Sequence, residues 1–411
     1  MSKLLEQINT EKRSHARLSD FIKIKHGFAF KGEDFSSSPT KDILVTPGNF
    51  AIGGGFKDEK LKYYKGSIPA DYILKAGDLI VTMTDLSVNT DTLGYSALVP
   101  NNPNYRFLHN QRIGLVQKVK EGVDLGYLNH LMRTREYQSY VVSSASGSTV
   151  RHTSPDRISG YEYDFPSVQT QKKIAEILSA YDAKIENNKS IIRNLESMAQ
   201  ILFNEWFVEF RFPGYEKAKF LTTEIGEVPE SWTTLPLDEV ADFLNGVASQ
   251  KYPPIAGEPS LPIIKIREIN SGIDENTERA NTKIDPKYIV KNGDILFSWS
   301  GSLELVAWSG GDGILNQHIF KVTSEIYPKW FYFYCIKKHL QYFRAVASGK
   351  ATTMGHIQRH HLTETTVAIP AKNVLRKADA LMSKLFDEGS RLQLENVSLK
   401  ESRDRLLAKL I

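Results

Sequence analysis

Between residues 174 and 202 apolar side chains return at alternating steps of three and four. Ile174, Tyr181, Asn188, Leu195 and Leu202 share one heptad position, and Leu178, Ile185, Ile192 and Ala199 the other. A stripe of that period buries against a partner helix as a coiled coil; here one polar residue, Asn188, interrupts it. The period recurs more weakly at the end of the chain, where Ala378, Leu385, Leu392, Leu399 and Leu406 alternate with Met382, Gly389, Asn396, Arg403 and Leu410. Two such helices, separated by a whole globule, meet most simply antiparallel about a pseudo-twofold axis. Asn188 and Asn396 then lie near the middle and help fix register; the plainer alternative sets either at a frayed or rotated position.

Outside the stripes the pattern changes. Short β-branched and apolar runs at 78–82, 294–299 and 366–369 alternate with turn signals such as Asn101-Asn-Pro-Asn and Lys291-Asn-Gly-Asp, and predict strands. Helical spacing of aromatic and aliphatic residues predicts helices over 125–143 and 329–347. The fold class is therefore α+β.

The chain also repeats itself. Tyr72-Ile-Leu-Lys-Ala-Gly-Asp-Leu-Ile-Val returns as Tyr288-Ile-Val-Lys-Asn-Gly-Asp-Ile-Leu-Phe, Leu108-His-Asn-Gln-Arg-Ile as Ile314-Leu-Asn-Gln-His-Ile, and Ala145-Ser-Gly-Ser-Thr-Val as Ala347-Ser-Gly-Lys-Ala-Thr. Each copy then runs through a strand-like segment ending in proline, Pro166 or Pro370, into its heptad helix. A period of roughly 200 residues means two similar domains rather than a solenoid. The expected layout is an N-terminal helical segment at 1–17, a first domain at 18–166, and a helical spacer at 167–212. A second domain follows at 213–370, led in by a linker at 213–231, and a C-terminal helical region at 371–411 ends the chain.

Composition narrows the function. With 411 residues, two or three domains are expected; a net charge of +4 permits nucleic acid without demanding it. The one cysteine, Cys335, lies in an apolar run, reads as a core residue and excludes an intramolecular disulfide. No secretory leader or membrane-length apolar run is seen, so the chain is expected to be soluble and intracellular.

Each domain ends in a polar, basic stretch. In the first, Ser148, Thr149, Arg151 and His152 are candidate DNA contacts; in the second, Lys350, Thr352, His356, Gln358, Arg359 and His360. Ser and Thr suit phosphate oxygens, Arg and Lys neutralise phosphate or read guanine, and Gln can address adenine. A solvated loop before a strand is the alternative; matched positions in both copies favour function. Asn110, Gln111 and Arg112, with Asn316, Gln317 and His318, form a second candidate set, whose amides can equally tie a turn. The first stripe spans about 29 residues, roughly 43 Å of helix, against about 34 Å for a turn of B-DNA. Two related but different globules joined by such helices suit a bipartite, asymmetric site with an unread spacer.

These residues resemble those of the specificity (S) subunits of type I restriction-modification systems. Phe165-Pro-Ser-Val-Gln-Thr-Gln-Lys-Lys-Ile-Ala-Glu-Ile-Leu, the closing Phe203-Asn-Glu-Trp-Phe-Val-Glu-Phe-Arg-Phe-Pro and Pro229-Glu-Ser-Trp-Thr-Thr-Leu-Pro-Leu-Asp-Glu-Val carry the resemblance, which covers nearly the whole chain. It implies two target-recognition domains and two long antiparallel helices in a prokaryotic cytoplasmic protein that does no chemistry. It also implies docking of two adenine-N6 methylation subunits and often of restriction-translocase subunits, with S-adenosylmethionine and ATP belonging to those partners. Val374-Leu375 and the end at Ile411 depart from the family pattern.

Enzyme signatures are weak. Ser348-Gly-Lys-Ala lacks the upstream glycine and following Ser/Thr of a phosphate loop, and Tyr252-Pro-Pro-Ile is not an amino-methylation motif. His356, His360 and His361 invite a metal, but a basic DNA-facing loop explains them better. The rival from another class is a two-domain protein-interaction scaffold without DNA specificity, whose binding would depend little on salt.

Overall fold

A computed structural model of the chain describes residues 8, 10–85, 87, 91–147, 150–349 and 355–411. The chain forms two compact units, one of residues 1–183 and 400–411, the other of residues 184–399. The long helices Val168–Phe203 and Lys372–Leu410 contribute to both.

The repeat seen in sequence is a repeat of topology. In the first unit a four-stranded sheet runs in the order Ile22–His26, Ile113–Lys118, Leu79–Thr82, Ser96–Leu98. In the second the order is Asp242–Asn245, Ile319–Thr323, Ile295–Ser298, Leu305–Ala307. Each unit adds a second four-stranded sheet with one parallel pair, Asp42–Val45 with Arg106–His109 in one and Ser260–Ile264 with Gly313–Leu315 in the other. The predicted strands at 78–82 and 294–299 are thus the inner strands of equivalent sheets. Their side chains, buried on both faces, explain why they read as continuous apolar runs.

A two-stranded ribbon closes each domain: Ser14–Arg17 with Glu162–Phe165, and Thr233–Pro236 with Thr366–Ile369. The segment expected to be helical over 1–17 is helical at Ile8 and Thr10 and gives way to a strand at Ser14–Arg17. Directly opposed charges hold it: His15 meets Asp164 at 2.7 Å, and Arg17 meets Glu162 at 2.7 Å. The match of Leu18 with Leu237, both fully buried just after the strand, was the sequence signal. The linker at 213–231 also has structure, a hairpin of Phe220–Thr223 and Gly226–Pro229.

The helix predicted over 125–143 is two, Leu125–Leu131 and Arg135–Ser143. Thr134 restarts it, its hydroxyl accepting from the Tyr137 N–H at 3.3 Å. In the second unit the helix is continuous, Lys329–Ser348. It carries Cys335, whose thiol burial pushes up to about 12, into the core.

Both helical stripes face inward. In the first unit Ile174 and Leu178 are fully buried with Leu410 in one cluster, against which Leu406 packs, and Tyr181 is half-buried. In the second unit Ile185, Asn188, Ile192 and Leu392 are buried, and Leu195, Asn396 and Leu399 half-buried. Leu202 and Leu385 pack there on a core centred on Phe203, Phe207 and Phe331. Within this unit the helices run antiparallel: Asn188 Nδ2 donates to Asn396 Oδ1 at 3.0 Å, while Ala199 and Phe203, further along the first helix, share a buried cluster with Met382 and Ala378, further back along the second.

Candidate nucleic-acid interface

In the first unit the strand Leu79–Thr82 runs on into Met83, Thr84 and Asp85, and two candidate segments flank that extension. On one side the Met83 N–H donates to Arg112 O at 2.9 Å. On the other, Arg151–His152 pairs antiparallel with Thr84–Asp85, and the Thr153 N–H donates to Met83 O at 3.0 Å. Arg112 and His152, forty residues apart in sequence, are thereby neighbours across one strand. Asp85 anchors the extension from below. Burial pushes its carboxyl up, but hydrogen bonds from Ser87 at 2.6 Å and from Thr92 N–H at 2.5 Å outweigh that and hold it below its ordinary value.

The second unit repeats this construction with different side chains. Trp299 takes the place of Met83: its N–H donates to His318 O at 3.2 Å, and its carbonyl accepts from the Ile357 N–H at 2.9 Å. Ser300 bridges His356 as Thr84 bridges His152. The Trp299 ring lies 5.3 Å from that of His318 and 6.2 Å from that of His356, with Nε1 donating to Asn245 Oδ1 at 2.9 Å.

The two asparagines shape the turns that present their neighbours. Asn110 Oδ1 accepts from the Arg112 N–H at 3.1 Å, and Asn316 Oδ1 from the His318 N–H at 3.2 Å. Asn316 is buried, its amide nitrogen near Ser249 Oγ at 3.4 Å. Gln111 and Arg112 are exposed, while Gln317 and His318 are half-buried. A residue that sequence reasoning missed makes both turns possible. Gly27 and Gly246 end the first strand of each sheet against these turns: a Cβ on Gly27 would lie 2.0 Å from Asn110 O, and one on Gly246 2.2 Å from Asn316 O. The pairing of His26-Gly-Phe with Asn245-Gly-Val, at matched places in the copies, was the available signal.

Arg151 and His356 are half-buried, and His152, Gln358, Arg359 and His360 are exposed. Arg359 is partly engaged within the domain, donating to Phe243 O at 2.9 Å and lying over the Phe320 ring at 5.8 Å. Ser148, Thr149, Lys350 and Thr352 lie outside the described residues. Of the three histidines weighed for a metal, His360 and His361 come together, with Glu364 rather than His356, their ligand atoms within 4.8 Å. His361 Nδ1 already accepts from the Gln358 N–H at 2.9 Å, so the cluster caps a short helix.

Two related domains in one chain thus carry different side chains on the same strand frame. The chain belongs to the type I restriction modification DNA specificity domain family, whose profile matches it twice, over residues 12–197 and 229–396. Over 306 residues it is 26% identical to the type I restriction enzyme MjaIX specificity subunit of Methanocaldococcus jannaschii, covering 71% of this chain and 69% of that one. Over 392 residues it is 22% identical to the HindI specificity subunit of Haemophilus influenzae, covering 77% and 85%. The fold is similar to the crystal structure of the type I restriction-modification S subunit from M. genitalium, with a TM-score of 0.56 at 15% identity over 98% of this chain and 97% of that one. The protein is a DNA-specificity component of a restriction-modification complex. No helix among the described residues is long and apolar enough to cross a membrane.

Proposed function

We propose that this chain reads a bipartite, asymmetric DNA sequence, one half with each domain, and performs no chemistry itself. The observation that carries the reading is the shared frame with unlike side chains: Arg112 and Met83 in one domain stand where His318 and Trp299 stand in the other. A common frame suits the constant shape of the major groove, and unlike side chains suit two different half-sites. Methyl transfer to adenine N6 then belongs to two partner methylation subunits that hold S-adenosylmethionine. ATP belongs to restriction-translocase subunits where these join.

The test is a methylome. The chain is expressed with its methylation subunit in a host without other adenine methylation, and modified bases are sequenced. A split, asymmetric motif carrying N6-methyladenine, absent without this chain, is expected. A stable complex with an active partner and no such motif would overturn the reading.

A further inference from the structure

The Asn188–Asn396 contact sits in the second unit between buried Ile185, Ile192 and Leu392, and it is incompletely satisfied. Asn188 is fully buried and its Oδ1 has no hydrogen-bond partner, leaving a single amide–amide bond at 3.0 Å. Burying such a group is unfavourable against a hydrocarbon of similar size. The layer therefore does not maximise stability.

The internal repeat shows what it discriminates. Counted from Pro166 and Pro370, Asn188 occupies the place of Leu392, and Ile192 the place of Asn396. Because the helices run antiparallel, one turn onward from Asn188 and one turn back from Asn396 bring Ile192 opposite Leu392, both buried. The two adjacent layers are thus amide with amide and aliphatic with aliphatic.

Now let two N-terminal halves pair through these same faces, as equivalent helices of a repeat permit. Ile192 of the second copy replaces Asn396, so Asn188 meets isoleucine, and by symmetry this happens twice. Two C-terminal halves fare alike: Leu392 meets Asn396 twice. Either like-with-like arrangement loses the amide–amide bond and buries two amides against hydrocarbon. Only the pairing of an N-terminal half with a C-terminal half keeps both layers matched.

We infer that Asn188 and Asn396 are pairing-specificity residues, selecting the union of unlike halves and rejecting like-with-like exchange between copies of this chain. This is a property of the scaffold and stands whichever bases the domains read. Its consequence for function is that one particle carries one domain of each kind.

The experiment uses the full-length chain. Asn188→Leu, Asn396→Leu and the double variant are unfolded and refolded over a series of concentrations, then analysed by sedimentation velocity and by co-purification of two differently tagged copies. Each single substitution is expected to lower the urea midpoint, and the double variant to restore or exceed it. In the double variant like-with-like exchanged dimers, scored by cross-linking of the first helices of two copies to each other, should rise by about tenfold or more over wild type, since the discrimination against mismatched layers is gone. A further variant moves the amide layer by one turn, combining Asn188→Ile, Ile192→Asn, Leu392→Asn and Asn396→Leu. It should suppress exchange again. A double variant that exchanges no more than wild type, or a moved layer that fails to suppress exchange in a folded protein, would overturn the inference.

Discussion

Arg133 donates through Nη1 to Asp182 Oδ2 at 2.6 Å, and Arg403 donates to the other oxygen of the same carboxylate at 2.6 Å. Arg133 also donates through Nε to Gly53 O at 3.0 Å. One carboxylate thus ties a glycine turn of the first domain to both long helices within that unit. Burial pushes the Asp182 carboxyl up, but the Arg133 and Arg403 guanidiniums outweigh it and hold it below the usual carboxylate range.

Removing the charge while keeping the shape should therefore cost far more than a surface ion pair. Arg133 has a side chain only 4% exposed, so Asp182→Asn leaves a buried cation without its counter-charge. A loss of about 3 kcal/mol is expected, read as a lower urea midpoint. An unchanged midpoint would mean that solvent compensates the guanidiniums.

Acid should weaken the fold in two windows. Burial, foremost, pulls His109, His130 and His339 each down to about 4. Their unfolded value is about 6.5. The unfolded chain then binds more protons between those limits, so the contribution is full above about pH 6.5 and is lost as pH falls toward 4. Each histidine is worth up to about 3 kcal/mol by that shift. Asp182, with its depressed folded value, adds a loss only at lower pH, below its unfolded value of about 3.9. Urea midpoints measured from pH 7.5 down to 4.5, at about half-unit steps, should slope; His130→Asn should flatten part of the slope. A flat profile would contradict neutral burial of these rings.

What sequence could and could not disclose follows from the range of each signal. The heptad stripes, the inner strands and the two-copy layout all announce themselves through local period or direct repetition. The approach of Arg112 to His152 does not, because it arises from pairing on either side of Met83 and Thr84, which no local pattern encodes. Ser14–Arg17 was misread for the same reason: its strand conformation depends on partners in Glu162–Phe165. Asn110 and Asn316 read in sequence equally as turn or contact residues, and the turn bond that each Oδ1 accepts from the N–H two residues on is visible only in the structure.

The glycine beside each turn offers a local test of that geometry. Gly246→Ala places a methyl group 2.2 Å from Asn316 O, and the obstacle is backbone rather than a flexible side chain. Overpacking of this kind costs about 1–3 kcal/mol. The Asn316–His318 turn should exchange its amide hydrogens faster than the rest of the sheet, in a protein that otherwise stays folded. Protection as in wild type would show that the strand end shifts without disturbing the turn.

Arg112 and Arg151 flank the strand extension in the first domain, and their replacement separates phosphate contact from base reading. Lys120, exposed beyond the far end of the strand Ile113–Lys118, serves as the control. Binding is measured by fluorescence anisotropy on duplexes carrying the motif that methylome sequencing returns, across a range of salt. An arginine that neutralises one phosphate should, on becoming alanine, weaken cognate and non-cognate binding alike and reduce the salt slope by about 0.9. An arginine that reads guanine should instead cost about 1–3 kcal/mol on the cognate duplex and relax one position of its half-site. Lys120→Ala should leave both measures near wild type. If all three variants bind as wild type does, the first domain meets DNA with a different face and the strand extension is not its reading edge.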